Sequence, residues 1–245
     1  MTGALWIALG AACGGFVNGL AGTGTALFAL GFLLVALDPV PAVAIVALMS
    51  VVSGVQGLWI VRGAIGANLG RLAVFAVPGL VGVPFGIALL SVVDSDTLRV
   101  GIGLLLVVYG GYFSARRNLP RFERPTPLAD GAIGGIGGVL GGAASLSGAL
   151  PTIWLSMRPW PKAETRAVLQ PYNVAILGTT VGMLAWRGAY TGEALAGLAI
   201  ALPVGIVAAQ VGIAVFRRLS DDGFRRLLVG LTLVLGAGIL LDELL

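Results

Sequence analysis

Gly15-Phe16-Val17-Asn18-Gly19-Leu20-Ala21-Gly22-Thr23-Gly24-Thr25 falls inside Met1–Leu37, a run of 37 residues without a charge. As one helix this run would be about 55 Å long at 1.5 Å per residue, far beyond the roughly 30 Å hydrocarbon core of a bilayer. It must break, and Gly19, Gly22 and Gly24 mark the place. A second glycine-rich stretch, Gly137-Gly138-Val139-Leu140-Gly141-Gly142-Ala143-Ala144-Ser145, lies within the 27-residue uncharged segment Gly131–Met157. Both stretches read as broken, re-entrant hairpins. Their second arms open on small polar residues, Thr23 and Thr25 in the first and Ser145 and Ser147 in the second.

The rest of the chain has the same solvent in view. Of 245 residues, 58% are hydrophobic and only 11% charged, against about 25% charged in a soluble domain; the mean hydropathy is +1.00. Six further uncharged runs follow the charges: Pro39–Val61, Leu72–Val93, Val100–Ala115, Ala167–Trp186, Ala194–Phe216 and Leu227–Leu241. Such segments make a polytopic helical membrane protein, and the absence of recurring ten-residue alternation excludes a barrel. There is no histidine, and Cys13 is the single cysteine. Internal disulfides, Cys/His zinc sites, histidine-ligated haem and histidine-based triads are thereby excluded. No cofactor or metal is expected, and no acid pair at membrane depth suggests an enzyme. The N-terminus lacks the basic region of a cleaved signal peptide.

Charge assigns sidedness. Cytoplasmic loops collect Lys and Arg, which places Arg116, Arg117, Arg121 and Arg124 inside, and with them Arg62 and Arg71. If Gly131–Met157 crossed once, Arg158, Lys162, Arg166, Arg217, Arg218, Arg225 and Arg226 would all face outward and the bias would vanish. If it dips and returns, only Arg99 and Arg187 of the 15 basic residues are outside. The first run is read as a hairpin from its length. The basic excess behind a pI near 9.8 is therefore membrane topology and not a nucleic-acid surface. Loops near Arg62, Arg116 and Arg217 are expected in the cytoplasm.

The halves resemble one another. Besides the glycine breaks, Pro39 and Pro41 match Pro159 and Pro161, Arg62-Gly63-Ala64 matches Arg187-Gly188-Ala189, and Pro78 matches Pro203. The fold class that follows is an all-α polytopic membrane protein of two inverted repeats, each a broken hairpin plus three transmembrane helices. Residues 1–117 form the first repeat, 118–127 a basic cytoplasmic linker and 128–245 the second repeat. Inverted repeats with broken helices near the midplane are the signature of secondary transporters.

Broken backbone at membrane depth survives only buried in protein or facing a water-filled cavity. A helix N-terminus there offers free N–H groups and the positive end of the dipole, and two that converge form an anion site without a buried cation. The candidate substrate-binding residues are Gly22, Thr23, Gly24 and Thr25 at the first break and Ala144, Ser145 and Ser147 at the second. Asn18, Gln56, Gln170, Tyr172 and Asn173 are the other polar groups at depth, with Arg166 one helical turn before Gln170. The competing reading is packing, since Gly10/Gly14, Gly15/Gly19 and Gly134/Gly138 are GxxxG pairs and single intramembrane amides often join helices. No carboxylate lies within an uncharged run, which disfavours proton coupling through a buried acid. No Walker loop is present. The partners expected are a small anion and the lipid bilayer, with no nucleic acid; the small-residue faces suit a homodimer. A transporter of a metal cation or neutral solute, with hairpin carbonyls as ligands, is the alternative, and a membrane enzyme or assembly factor a third reading.

The paired breaks, the stretch Lys162-Ala163-Glu164-Thr165-Arg166-Ala167 and the length of the chain resemble the TauE/SafE sulfite exporter family. The resemblance spans essentially the whole chain. It implies a bacterial or archaeal inner-membrane transporter of sulfite, sulfonates or related small anions built from two repeats. This chain departs from the family's Gly-Gly-Gly after the first break, reading Gly22-Thr23-Gly24-Thr25, and reads Gly142-Ala143-Ala144-Ser145-Leu146-Ser147 at the second. The added hydroxyls would tune which anion is held.

Overall fold

Helices are the one way to satisfy every backbone group of an apolar segment in lipid, and the described chain is helical throughout. A computed structural model describes residues 2–90 and 122–220, with isolated positions at 92, 97, 100, 104, 223 and 227. Its helices are α1 (Thr2–Ala21), α2 (Thr25–Leu34), α3 (Pro39–Ile65), α4 (Leu69–Leu90), α5 (Pro127–Ala144), α6 (Ala149–Ser156), α7 (Lys162–Trp186) and α8 (Gly192–Arg218); a 3₁₀ turn, Gly66–Asn68, joins α3 to α4. Among the described residues four spans are long and apolar enough to cross a membrane, the longest being Pro39–Leu90, which holds both α3 and α4. The protein is a multi-pass membrane protein. The expected crossings over Val100–Ala115 and Leu227–Leu241, and Arg116, Arg117 and Arg121 of the linker, lie outside the described residues.

Both uncharged runs break where their glycines and serines indicate. α1 ends at Ala21, and Gly22 and Gly24 take φ of 83° and 97°, left-handed values that glycine adopts freely. The chain then doubles back along α1. A Cβ on Gly24 would stand 3.0 Å from Val17 Cγ1, and one on Gly14 would stand 2.7 Å from the Thr25 carbonyl oxygen. In the second hairpin, Ser145 takes φ 56° past the end of α5, with its N–H on the Gly141 carbonyl and the Leu146 N–H on the Leu140 carbonyl. This is a Schellman stop made by a serine. Ser147 then lies against Gly141, 3.0 Å from a Cβ placed there. The two arms of each hairpin are unequal: at 1.5 Å per residue α1 and α5 run about 30 and 27 Å, α2 and α6 only about 15 and 12 Å. The returning arms therefore begin near mid-depth, while the ends of α1 and α5 reach further.

The ends of each hairpin lie together, as a re-entrant path requires. Ala36 Cβ is 3.7 Å from a Cβ built on Gly3. At the second hairpin the Phe122 N–H bonds the Met157 carbonyl at 3.0 Å, and Arg158 donates to the Arg124 carbonyl at 2.7 Å, to Thr126 Oγ1, and to Asp130 at 2.7 Å. Phe122 stacks on Trp154, whose indole N–H also bonds Asp130. Arg158 is 3% exposed, so deleting its carboxylate partner strands a buried charge. Asp130→Ala is expected to lower stability by about 3 kcal/mol, with Asp130→Asn costing less; thermal unfolding in detergent reads the difference.

The ends of the bundle differ in charge. The Arg71–Glu164 pair at 2.9 Å, Arg71 over the Trp160 ring, and Lys162 donating to the Phe216 carbonyl tie the starts of α4 and α7 to the end of α8. Arg158 joins the linker to this same end. At the other end Tyr190 bonds the Ala44 carbonyl at 3.1 Å, bringing the start of α3 to the end of α7. So α3 and α7 cross antiparallel, and Arg187 stands at the end opposite the basic group.

The long hairpin arms dock on helices of the other half, α1 on α8 and α5 on α4; α3 packs on α7 and α8, and α4 also on α7. The pattern repeats when the halves are exchanged. A Cβ on Gly15 or Gly19 would fall on the carbonyls of Gly205 or Ala209, and one on Gly134 or Gly138 on those of Phe75 or Gly79. The GxxxG packing reading is thus correct for these two pairs. The match of Arg62-Gly63-Ala64 to Arg187-Gly188-Ala189 is one of residues alone. Gly188 ends α7 at φ 75°, whereas Gly63 stays within α3, which runs on into the 3₁₀ turn. The largest apolar cluster includes Val43, Ile45 and Met49 of α3, Val168, Leu169 and Ile176 of α7, and Ala29 and Leu33 of α2. Val77, Val81 and Phe85 of α4 and Val207 and Val211 of α8 face outward, as lipid contact demands.

Candidate substrate site

The two returning arms start against each other. A Cβ built on Gly148, the N-cap of α6, would fall on Thr23 Oγ1 and lie 2.6 Å from Thr23 Cβ. The hairpin tips therefore touch. Neither N-terminus has a side-chain cap, since Gly24 caps α2 and Gly148 caps α6; at α6 the Ala149 N–H bonds the Leu146 carbonyl at 3.2 Å. A helix start leaves its first N–H groups without helical partners, so two positive helix ends face the same buried region.

Around them lie polar atoms that the protein leaves unused. Thr25 is 1% exposed and its Oγ1 has no partner; the same holds for Asn18 Oδ1, Asn173 Nδ2 and Thr152 Oγ1. Buried polar groups are nearly always bonded, and each orphan costs about 1–3 kcal/mol. The four stand on α1, α2, α6 and α7 and between them offer both donors and acceptors. The other amide atoms of the two asparagines are engaged. Asn18 donates to Ser53 Oγ at 2.7 Å and to the Ser50 carbonyl at 3.2 Å, and Ser147 donates to Asn173 Oδ1.

Other expected site residues take different posts. Ser145 donates to the Val43 carbonyl at 3.0 Å, holding the end of α5 to α3; Ala144 beside it is fully buried. Tyr172 donates to the Gly134 carbonyl at 2.7 Å and meets the Phe75 ring edge-on, bracing α7 against α5. Gln170 spans α3 and α7 by donating to the Gly54 carbonyl at 3.1 Å, and its Oε1 would be 2.6 Å from a Cβ on Gly22. Gln56 stands apart from this group. It accepts from Gln210 of α8 at 2.5 Å, the interhelical bond that was the competing reading for it.

Arg166 is neither a surface anchor nor open to an inner vestibule. It is 0% exposed. Its guanidinium donates to the carbonyls of Gly19 at 2.8 Å and Leu20 at 3.3 Å and to Gln170 Oε1 at 3.2 Å, with its carbon 4.3 Å from the centre of the Phe216 ring. It closes the negative end of α1. The ion pairs among the described residues are Arg71–Glu164 and Arg158–Asp130, so this buried cation has no carboxylate beside it. Sequence reasoning passed over Gly148, Ser50, Ser53 and Thr152. Ser50 and Ser53 carried a usable signal, two hydroxyls at helical spacing inside the apolar run Pro39–Val61; Gly148 carried none.

Compared with known families, residues 7–239 match the family model described as "Sulfite exporter TauE/SafE". No curated protein and no solved structure matches the chain.

Proposed function

The chain belongs to the sulfite exporter TauE/SafE family, and from that premise we propose that it is a secondary transporter exporting a small anion, sulfite or an organosulfonate or a related sulfur oxyanion, by alternating access at the paired hairpin tips. The observation that carries this reading is the contact of Thr23 with Gly148 between two uncapped helix starts, with orphaned polar atoms around it. N–H groups and hydroxyls at positive helix ends suit an oxyanion. They suit a cation poorly, and the Gly19 and Leu20 carbonyls that could serve one are taken by Arg166.

The antiparallel crossing of α3 and α7 and the exchange-symmetric packing support two inverted repeats, 1–117 and 128–245, joined by 118–127. The basic end faces the cytoplasm of a bacterial or archaeal cell by the positive-inside rule. An inside-negative potential then favours anion exit by about 2.3 kcal/mol per charge per 100 mV. Radiolabelled sulfite, thiosulfate and taurine flux in proteoliposomes tests the reading. Thr25→Ala, which removes an unpartnered hydroxyl, is expected to raise the half-saturating anion concentration about tenfold, the worth of one hydrogen bond to a charged group. Ser147→Ala, which releases Asn173 from the Ser147 hydroxyl, is expected to weaken binding by misplacing the Asn173 amide, while both proteins stay folded. Absence of flux for every anion, or wild-type affinity in both variants, overturns it.

A further inference from the structure

The end of α1 is tied down by a charge, and the equivalent end of α5 is not. Arg166 is the fifth residue of α7 and holds the α1 end through two carbonyls; Val43 is the fifth residue of α3 and holds the α5 end by accepting one neutral bond from Ser145. α1 reaches toward the basic end of the bundle, because Arg166 lies one turn from Lys162, which bonds the end of α8. α5 reaches toward the opposite end, where Val43 adjoins Ala44 and Tyr190. The touching tips lie between these two closures. Between the tips and the basic end stands Gly22, where an added Cβ would lie 2.6 Å from Gln170 Oε1 and 3.3 Å from Arg166 Cγ.

We propose that Arg166 is the latch of the basic-side gate and the counter-charge that an arriving anion captures. Bonds to charged donors are stronger than neutral ones, so the basic-side closure outlasts the Ser145 closure in the empty protein. The guanidinium is held by carbonyls and a ring, partners that carry partial charge, and a sulfur oxyanion carries a full one. Capture of Arg166 by the anion frees the Gly19 and Leu20 carbonyls and lets the α1 end move. The anion thus prefers the unlatched state, which is the differential affinity that a ligand needs to shift a conformational equilibrium. The inference rests on the anion reading above and adds to it the residue that couples binding to opening.

The test pairs binding of radiolabelled sulfite with hydrogen exchange at residues 19–25 in purified wild-type, Arg166→Gln and Arg166→Lys protein. Wild type should bind sulfite and exchange faster at the α1 end when it does. Arg166→Gln should bind about tenfold more weakly or worse and exchange about tenfold faster without sulfite, with no further response to it. Arg166→Lys keeps the charge but lacks the forked geometry; it should bind within about threefold of wild type while its α1 end exchanges as fast as in the glutamine variant. A merely structural arginine would not separate the two readouts in this way. If wild type binds sulfite and Arg166→Gln matches it in affinity or in exchange, the latch is overturned and the anion reading stands. If wild type binds none of sulfite, thiosulfate or taurine, both fall. Should Arg166→Gln fail to fold, Arg166→Lys decides, and wild-type exchange at its α1 end overturns the proposal.

Discussion

Gly19→Ala and Gly138→Ala are each expected to remove the folded protein from the membrane, while Gly178→Ala, one helix away, leaves it intact. The three changes add the same methyl group. At Gly19 it would fall on the Ala209 carbonyl and at Gly138 on the Gly79 carbonyl, whereas around Gly178 nothing lies within 4 Å. A carbonyl in a helix cannot swing aside as a side-chain tip can, so α1 must separate from α8, or α5 from α4, along the whole contact. Overpacking of this kind costs about 3 kcal/mol or more, a large share of the 5–15 kcal/mol that holds an ordinary domain folded. Close approach over glycine is also the chief source of helix affinity in lipid, where burial of apolar surface supplies little. Fluorescence-detected size exclusion of tagged protein should show aggregate or no peak for the first two and a wild-type peak for the third. Normal peaks for all three would mean that the hairpin arms do not dock this tightly on the opposite half.

The glycines also show what a linear reading can and cannot recover. That Met1–Leu37 breaks at Gly22–Gly24 follows from run length and local backbone preference, both properties of a short segment. That Gly131–Met157 doubles back follows from summing charges, and the bonds from Arg158 to Arg124 and Asp130 bring the two ends of the segment together. Partner choice is different. Gly205, Ala209 and Gly212 on α8 carry small-residue spacing as plain as that of Gly15 and Gly19, yet nothing in the sequence says that a hairpin of one half docks on a helix of the other. The partners of Gln56 and Gln170 are hidden for the same reason: only the neighbouring helix decides that one meets Gln210 and the other lies under the first break. Arg166 is legible in the sequence as a basic residue one turn before Gln170, but not its hold on the end of α1. Its direction is set by the α1 end arriving from 146 residues away. The unequal arms were equally hidden, since the return points at Thr25 and Ser147 depend on contacts with Gly14 and Gly141 that no periodicity encodes.

The contact between the tips makes the sharpest claim about transport. Gly148→Ala is expected to raise the half-saturating anion concentration by roughly thirtyfold, about 2 kcal/mol of overpacking, and Thr23→Gly is expected to cancel most of that loss. Gly148 has φ −86° and ψ −7°, which alanine adopts without strain, so the cost lies in the collision. Thr23 is 4% exposed and its Cβ would stand 2.6 Å from the new one. Turning the threonine side chain moves Oγ1 and Cγ2 but leaves Cβ where it is, and the tips must part by about 1 Å to reach ordinary carbon contact. An anion held by both helix starts loses one set of donors when they separate. Removing the Thr23 side chain clears the space, at the cost of its hydroxyl, so the single Thr23→Gly change should weaken binding modestly. Gly148→Ala should then add little further loss in that background, a coupling of about 2 kcal/mol between the two positions. Independent effects from the two changes would place the tips out of contact, and the shared site between the hairpins would have to be abandoned.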